Sequence, residues 1–350
     1  MKHLLLIAIL LSGTQAFAAP YTPTDANEVL ITVAERANPT QLVRERTLQL
    51  KLKRDPENAR LATELASLYL AEGQAQEDPL LYGRAKRVLA PWWDRQEVPS
   101  DIRLLRSAIL RFEHRFAAAL SDLDAYLRAH STRADVFMSR AVLHSVMGNL
   151  DRAGEDCDSI ARLHQETIHR LCAAHVAYSK GEFAAAETLL DALPSNAAAI
   201  VVWAKELRIA ILLQTDRADE AKRLWLSIKD PQIPQTYVRS LLADYGLRRQ
   251  KPEWSLEFLD GHHQHLPLLV RRAAALRASG ASAPELATLR QQIAALLALE
   301  AKRQDAVHAR EASLFHHFVT ADKRAAKRYA EQNWRTQKEP IDRWLWEQTR

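Results

Sequence analysis

Apolar and small residues recur along this chain with a period far longer than a helical turn. The stretch GNLDRAGEDC begins at Gly148, and GEFAAAETLL begins at Gly181. Aligning the two places Phe137, Ala141, Gly148, Leu150 and Ala153 over Arg170, Ala174, Gly181, Phe183 and Ala186. One period earlier, Ser107, His114, Phe116 and Ala119 hold the same places. The pattern predicts a helical hairpin, in which alanines such as Ala141 and Ala153 let two helices approach and Gly148 supplies a turn with φ > 0.

The unit recurs less cleanly on either side. Leu65, Ala66, Tyr69 and Gly73 fit a first helix, but Ala85 arrives late, so the turn is expected to carry an insertion, QAQEDPLLY. Downstream, TDRADEAKRLW with Ala221 and Trp225, RRQKPEWSLEFL around Trp254, and RRAAALRASG to Gly280 mark further hairpins, and Ala326 with Ala330 marks the last. One such hairpin cannot bury its apolar face alone, whereas stacked neighbours can.

The spacing of small residue, glycine, large apolar residue and alanine resembles the tetratricopeptide repeat. The stretches DPLLYGRAKRVLAPWW, RFAAALSDLD and HAREASLFHHF through NWRTQKEPID are also similar to exported proteobacterial proteins built from that repeat. The resemblance implies an all-α, tetratricopeptide-like solenoid and brings no catalytic residues. The expected organisation is a signal peptide over 1–18 and a single solenoid over 19–350. Within it, 25–54 form N-terminal cap helices, 55–303 the repeats and 304–350 a C-terminal hairpin and cap.

Composition supports helices throughout, since glycine is scarce, at 9 of 350 residues. The opening MKHLLLIAILLSGTQAFAAP has the charged, apolar and small-residue order of a secretory signal, with cleavage expected after Ala18. Periplasmic or secreted localisation follows. No later run reaches the roughly 18 apolar residues of a transmembrane helix. The net charge of +5, from 48 basic and 43 acidic residues, is too small to suggest nucleic acid.

Two arginines occupy equivalent places in consecutive repeats, Arg106 and Arg140, and Asp122 and Asp156 follow each at equal spacing on the second helix. This predicts one structural ion pair per hairpin, in preference to a basic ladder for an anionic ligand. The next repeat has Ala173 and Leu189 there, losing both charges together. Cys157 and Cys172 are the only cysteines and fall on consecutive helices, so export favours a disulfide, with two free buried thiols as the alternative.

The run DGHHQH offers Asp260, His262, His263 and His265, but adjacent residues rarely converge on one ion, so a solvated loop is expected and no metal. His316 and His317 are expected at the edge of a helix contact. Nucleophile elbows, HExxH pairs and phosphate-binding glycine loops are all missing, so neither an enzyme nor a cofactor is expected. Near the C-terminus, Lys323, Arg324, Lys327 and Arg328 form a basic face opposite Ala325, Tyr329 and Ala330. After Pro340, Trp344 and Trp346 are expected to cover the open end of the stack.

In such a solenoid the first helices line a concave surface. The positions expected to meet a partner are Leu104 and Arg111, then Met138 and Ser145, then Leu171, His175 and Tyr178, then Trp203 and Glu206. Apolar, aromatic and charged residues mixed in this way suit a protein or peptide partner, so the expected function is an exported, non-enzymatic interaction scaffold. The alternative is an envelope accessory or structural factor bound to peptidoglycan or polysaccharide, which would show stacked aromatic rings flanked by amides.

Overall fold

A computed structural model describes residues 39–194, 198–228, 235–259, 265–281, 283–302 and 308–350. The signal-peptide segment and Asp260, His262 and His263 lie outside the described residues. The chain divides into two compact units, Met1–Arg46 and Thr47–Arg350. Of the first, the described part is the opening of α1 (Pro39–Arg54).

The second unit is a succession of helical hairpins. They pair α2 (Ala59–Gln76) with α3 (Pro79–Val88), α4 (Ser100–Phe112) with α5 (Phe116–Ala129), α6 (Ala134–Val146) with α7 (Leu150–Arg162) and α8 (Glu166–Lys180) with α9 (Phe183–Asp191). The series continues with α10 (Ala198–Gln214) and α11 (Ala218–Leu226), α12 (Thr236–Arg248) and α13 (Pro252–Glu257), then α14 (Leu266–Ala278) and α15 (Ala283–Lys302). Last come α16 (Ala309–Leu314), extended by a π-helical turn over Phe315–Thr320, then α17 (Lys323–Trp334) and α18 (Pro340–Thr349). Among the described residues there is no strand, and no helix is long and apolar enough to cross a membrane.

One local device closes most of these hairpins. The residue after the first helix takes a left-handed conformation, as at Gly148 (φ 79) and Gly181 (φ 83), and also at His114 (φ 54), Asp216 (φ 65) and Gln250 (φ 55). The next N–H then reaches back to a carbonyl of the first helix: Arg115 to Leu110 at 2.8 Å, Asn149 to His144 at 2.8 Å, Glu182 to Ala177 at 2.9 Å and Arg217 to Leu212 at 2.8 Å. This is the Schellman arrangement, which satisfies carbonyls that a helix end otherwise leaves unpaired. The glycine of the repeat therefore marks a backbone position that His114, Asp216 and Gln250 also adopt, at some cost in strain.

The first hairpin corrects one expectation. The segment QAQEDPLLY is not a loop, because α2 continues through Gln76 and α3 starts at Pro79. Asp78 caps α3 by accepting from the Leu80 N–H at 2.9 Å, and the turn shrinks to Glu77 and Asp78, with Glu77 left-handed at φ 54. The extra residues lengthen helices instead of bulging between them.

Side-chain size sets how closely the helices approach. Ala141, Ala153, Ala174 and Ala186 are all buried in one cluster with Ile160, Leu190 and Ile211. The same cluster holds Cys157 of α7 and Cys172 of α8, whose sulfurs are joined, with Cα atoms 5.5 Å apart. The bond ties consecutive hairpins together at a point where each cysteine also fills core space.

Past α15 the chain turns back on the stack. The main-chain N–H of Lys338, between α17 and α18, donates to the carbonyl of Val146 at the end of α6, at 2.7 Å. Gln337 Nε2 lies 3.2 Å from His114 Nδ1, and the His308 ring lies 6.4 Å from that of His114. A Cβ built on Gly148 would sit 2.9 Å from the Lys338 side chain, so glycine there serves both the turn and this close approach. On the other side, Trp344 stacks on Phe318 and Trp346 on Trp334, with ring centroids 5.9 and 5.1 Å apart.

Candidate functional site

Of the charged residues expected to pair in the hairpins, Arg106, Asp122 and Asp156 are buried and Arg140 is half-buried. Arg106 holds Asp122 with two short contacts, Nη2 to Oδ1 at 2.6 Å and Nε to Oδ2 at 2.7 Å. Its remaining Nη1 donates to the carbonyls of Trp92, Trp93 and Arg95, tying α4 to the end of the preceding hairpin. Arg140 reaches Asp156 at 2.5 Å and also Asp124 at 2.7 Å. With their donors directed at carboxylates and carbonyls inside the stack, these arginines act as clips between helices.

Sequence spacing did not reveal a second set of pairs. Arg271 of α14 makes a two-point contact with Asp244 of α12, both bonds 2.8 Å, and its Nη1 lies 3.6 Å from Glu311 of α16. Arg310 of α16 meets Asp342 of α18 at 2.6 Å and Glu339 at 2.5 Å. Asp342 also accepts from Asn333 Nδ2, and the Glu339 N–H donates to its Oδ2, which completes a capping box at the start of α18. No repeat offset links these residues, so only their bulk and acidity were visible in advance.

Of the residues expected to meet a partner, Met138, Leu171 and Tyr178 belong to the buried core, and Ser145 is buried beside Val146, where the Lys338 main chain docks. These four positions are corrected to interior ones. The neighbouring helix and the returning C-terminal segment cover the side of each helix on which they lie. Leu104 and Trp203 are half-buried against core clusters.

Of the remaining three, Arg111 is exposed beside Tyr82, Glu206 is half-buried near Glu77, and His175 is half-buried near Glu339. The Tyr82 ring stacks on Phe112 at 3.8 Å with the planes 9° apart, beside Arg111. Glu77, in the turn of the first hairpin, accepts from Thr236 N at 2.9 Å and Thr236 Oγ1 at 2.8 Å, so it caps the start of α12. Its carboxylate also acts on Tyr82 and on Glu206 of α10. Glu206 in turn acts on Tyr237 of α12, which faces Tyr178, Glu339 and Arg310.

These groups touch water yet are hemmed in by protein. Phe112 is 38% exposed and Tyr237 42%. Even so, burial raises the Tyr82 and Tyr237 hydroxyls. Burial also pushes His175 down to about 4, and burial with Glu77 nearby lifts Glu206 to about 7. His175 and Glu206 are half-buried on α8 and α10, where their charged forms are poorly solvated. Deeper in, a small cavity of about 30 Å³ lies between Tyr178, Gln214, Ser240, Arg248, Arg310 and Glu339, enough for a water and little more.

The repeat type follows from paired helices, a left-handed residue at the same place in successive turns, and alanines where the helices meet. The stack is tetratricopeptide-like. Among solved structures, the chain is similar to a tetratricopeptide repeat protein from Parabacteroides merdae, at 16% identity and a TM-score of 0.49, covering 68% of this chain and 91% of that one. It is also similar to yeast Tom70, at 16% identity and a TM-score of 0.39, covering 89% of this chain and 57% of Tom70. No family model and no curated protein matches the chain. The assignment of repeat type therefore rests on the hairpin geometry.

The remaining foreseen groups fall at helix edges. His316 stacks on Tyr329, with centroids 5.6 Å apart, and His317 meets Trp344 edge-on at 6.0 Å. His265 directly precedes α14. Lys323, Arg324, Lys327 and Arg328 are exposed on α17, opposite the buried Ala325, Ala326 and Ala330.

Proposed function

We propose that this protein is an exported, non-catalytic scaffold that holds a peptide segment of a protein partner in the recess between the α2–α3 turn, the end of α4, α10 and the start of α12. The observation that carries the reading is the exposure of two aromatic side chains, Phe112 stacked on Tyr82 and Tyr237 next to the contact of Glu77 with Thr236. Partly exposed aromatics next to charged groups offer apolar area at small entropic cost, together with polar anchors for orientation. The joined Cys157 and Cys172 support an oxidising compartment, in keeping with the signal-like leader.

An envelope polysaccharide is favoured less. The stacked Trp334 and Trp346 would be its natural platform, but Lys338 lies over Trp334 at 4.2 Å and Arg350 over Trp346 at 3.3 Å. Cations already cover these rings. Affinity capture from the organism's own envelope, with wild type and Phe112→Glu side by side, tests the proposal. A protein partner retained by wild type and lost by the variant is expected, whereas capture of glycan alone, or equal capture by both, contradicts it.

A further inference from the structure

At the N-terminal end of the stack, α1, α2 and α3 border a groove of about 740 Å³ that shares no lining residue with the recess. Each helix turns one face to it at helical spacing: Leu52 and Lys53 from α1, Leu65 and Tyr69 from α2, Arg87 and Val88 from α3. Leu65 and Tyr69 are buried and form the floor, Leu52 and Val88 are half-buried, and Lys53, Arg84 and Arg87 are exposed. No acidic side chain lines the groove among the described residues. The nearby Asp55 and Glu57 are engaged elsewhere, with Asn58 at 2.9 Å and Arg95 at 3.3 Å. Arg106, Arg140, Arg271 and Arg310 each hold a carboxylate, whereas Lys53 and Arg87 hold none among the described residues.

An apolar floor with cations on two separate helices narrows the choice of occupant. An apolar ligand with a single anionic head matches cations gathered at one end, and a phosphate backbone leaves an apolar floor unused. A helix with an apolar stripe flanked on both sides by acidic residues satisfies floor and walls together. We propose that this groove docks an acidic amphipathic helix of a protein partner, as a contact separate from the peptide recess. Apolar side chains one turn apart on that helix pack on Leu65, Tyr69, Leu52 and Val88. Its carboxylates face Lys53 on one side and Arg84 and Arg87 on the other, where a guanidinium can offer two parallel donors. The volume falls within the roughly 300–1,000 Å³ of pockets that enclose most of a ligand.

The test uses the full chain and a labelled helical peptide whose leucine stripe is flanked by glutamates, with a scrambled peptide and one carrying lysines for glutamates as controls. The glutamate peptide is expected to bind, the scrambled one at least about tenfold more weakly and the lysine one not at all, and added salt should weaken binding. Lys53→Glu with Arg87→Glu should cost about tenfold in affinity, and Lys53→Gln with Arg87→Gln less. Thermal melts of both should match wild type, because the two side chains are exposed and hold no carboxylate. Phe112→Glu, in the recess, should leave this binding unchanged. Equal binding of the three peptides, or affinity indifferent to the charge reversals, overturns the inference. So does a chain that ignores the peptide but binds phosphatidylglycerol vesicles, or one that forms a dimer lost on charge reversal, since either gives the groove to a different occupant. None of these results bears on the recess, which is read separately through Phe112.

Discussion

The hairpins from α4 to α7 and the region from α12 to α18 both bury arginine–carboxylate pairs, but they join different things. In the front hairpins, Arg106–Asp122 and Arg140–Asp156 each link the two helices of one repeat. In the rear, Arg271 joins α14 to α12 and approaches α16, and Arg310 joins α16 to α18. The front arginines close one hairpin and reach one hairpin back, Arg106 to the Trp92, Trp93 and Arg95 carbonyls and Arg140 to Asp124, whereas the rear pairs link first helices and the C-terminal segment with no partner inside one hairpin. Losing a front pair should therefore loosen one hairpin and its seam with the one before, and losing a rear pair should weaken the C-terminal end of the stack.

The largest effect is expected from removing everything after Pro340. That deletes the buried Ile341 and Leu345 and leaves Arg310 with Glu339 but without Asp342, at a cost of about 5 kcal/mol or more. A lower melting temperature and aggregation with partner capture intact are expected. A fully stable truncated protein that has lost its partner would make this tail a binding site instead of a cap.

Next in size is Asp244→Ala, which leaves Arg271, only 1% exposed, without its two-point partner and should cost about 3–5 kcal/mol in urea unfolding. Replacing both residues together, Asp244→Leu with Arg271→Met, should cost less than the single change. In the front region, Arg140→Ala should cost about 2–3 kcal/mol and more than the double change with Asp156→Ala, because Asp156 is buried. Combining Arg140→Ala with Asp244→Ala should give additive losses within about 0.5 kcal/mol, since the two sites share no partner. Strong coupling between them would erase the distinction between front and rear.

Acid should act where the C-terminal segment meets the front hairpins. His114 and His175 are both pushed down to about 4, chiefly by burial, so the folded state binds fewer protons than the unfolded one below the ordinary histidine value of 6.5. Stability therefore falls as pH drops from 6.5 towards 4. Glu206, raised to about 7 from 4.5, works oppositely: it is a liability that grows as pH rises from 4.5 to 7. In pH-dependent melts His114→Gln should flatten the acid limb, and Glu206→Gln should gain stability above pH 7 and none below 4.5. The smallest effect belongs to the exposed Arg133–Asp135 pair, where Arg133→Ala should change stability by less than about 0.5 kcal/mol.

The same division governs what could be read from the sequence. Helical hairpins, their small-residue contacts and the sixteen-residue offset of the front pairs all repeat, and repetition is visible without a structure. The docking of Lys338 on Val146 is a main-chain bond with no side-chain signature, between segments far apart in the chain. Arg271 and Asp244 lie on the first helices of neighbouring hairpins and outside the repeated sixteen-residue offset, so nothing marked them as partners. The same returning segment displaced the expected contact surface: Lys338 docks beside the buried Ser145, and Glu339 lines a cavity with the buried Tyr178.

The central claim is that a peptide partner lies in the recess and not on the second helices α11 and α15. Photo-cross-linking places it directly, with a photoreactive residue at Phe112 or Tyr237, and at the exposed Leu226 and Leu299 of second helices as controls. The account predicts that the same partner protein is trapped from Phe112 and Tyr237 and from neither control. A partner trapped from Leu226 or Leu299, with none from the recess positions, would contradict it.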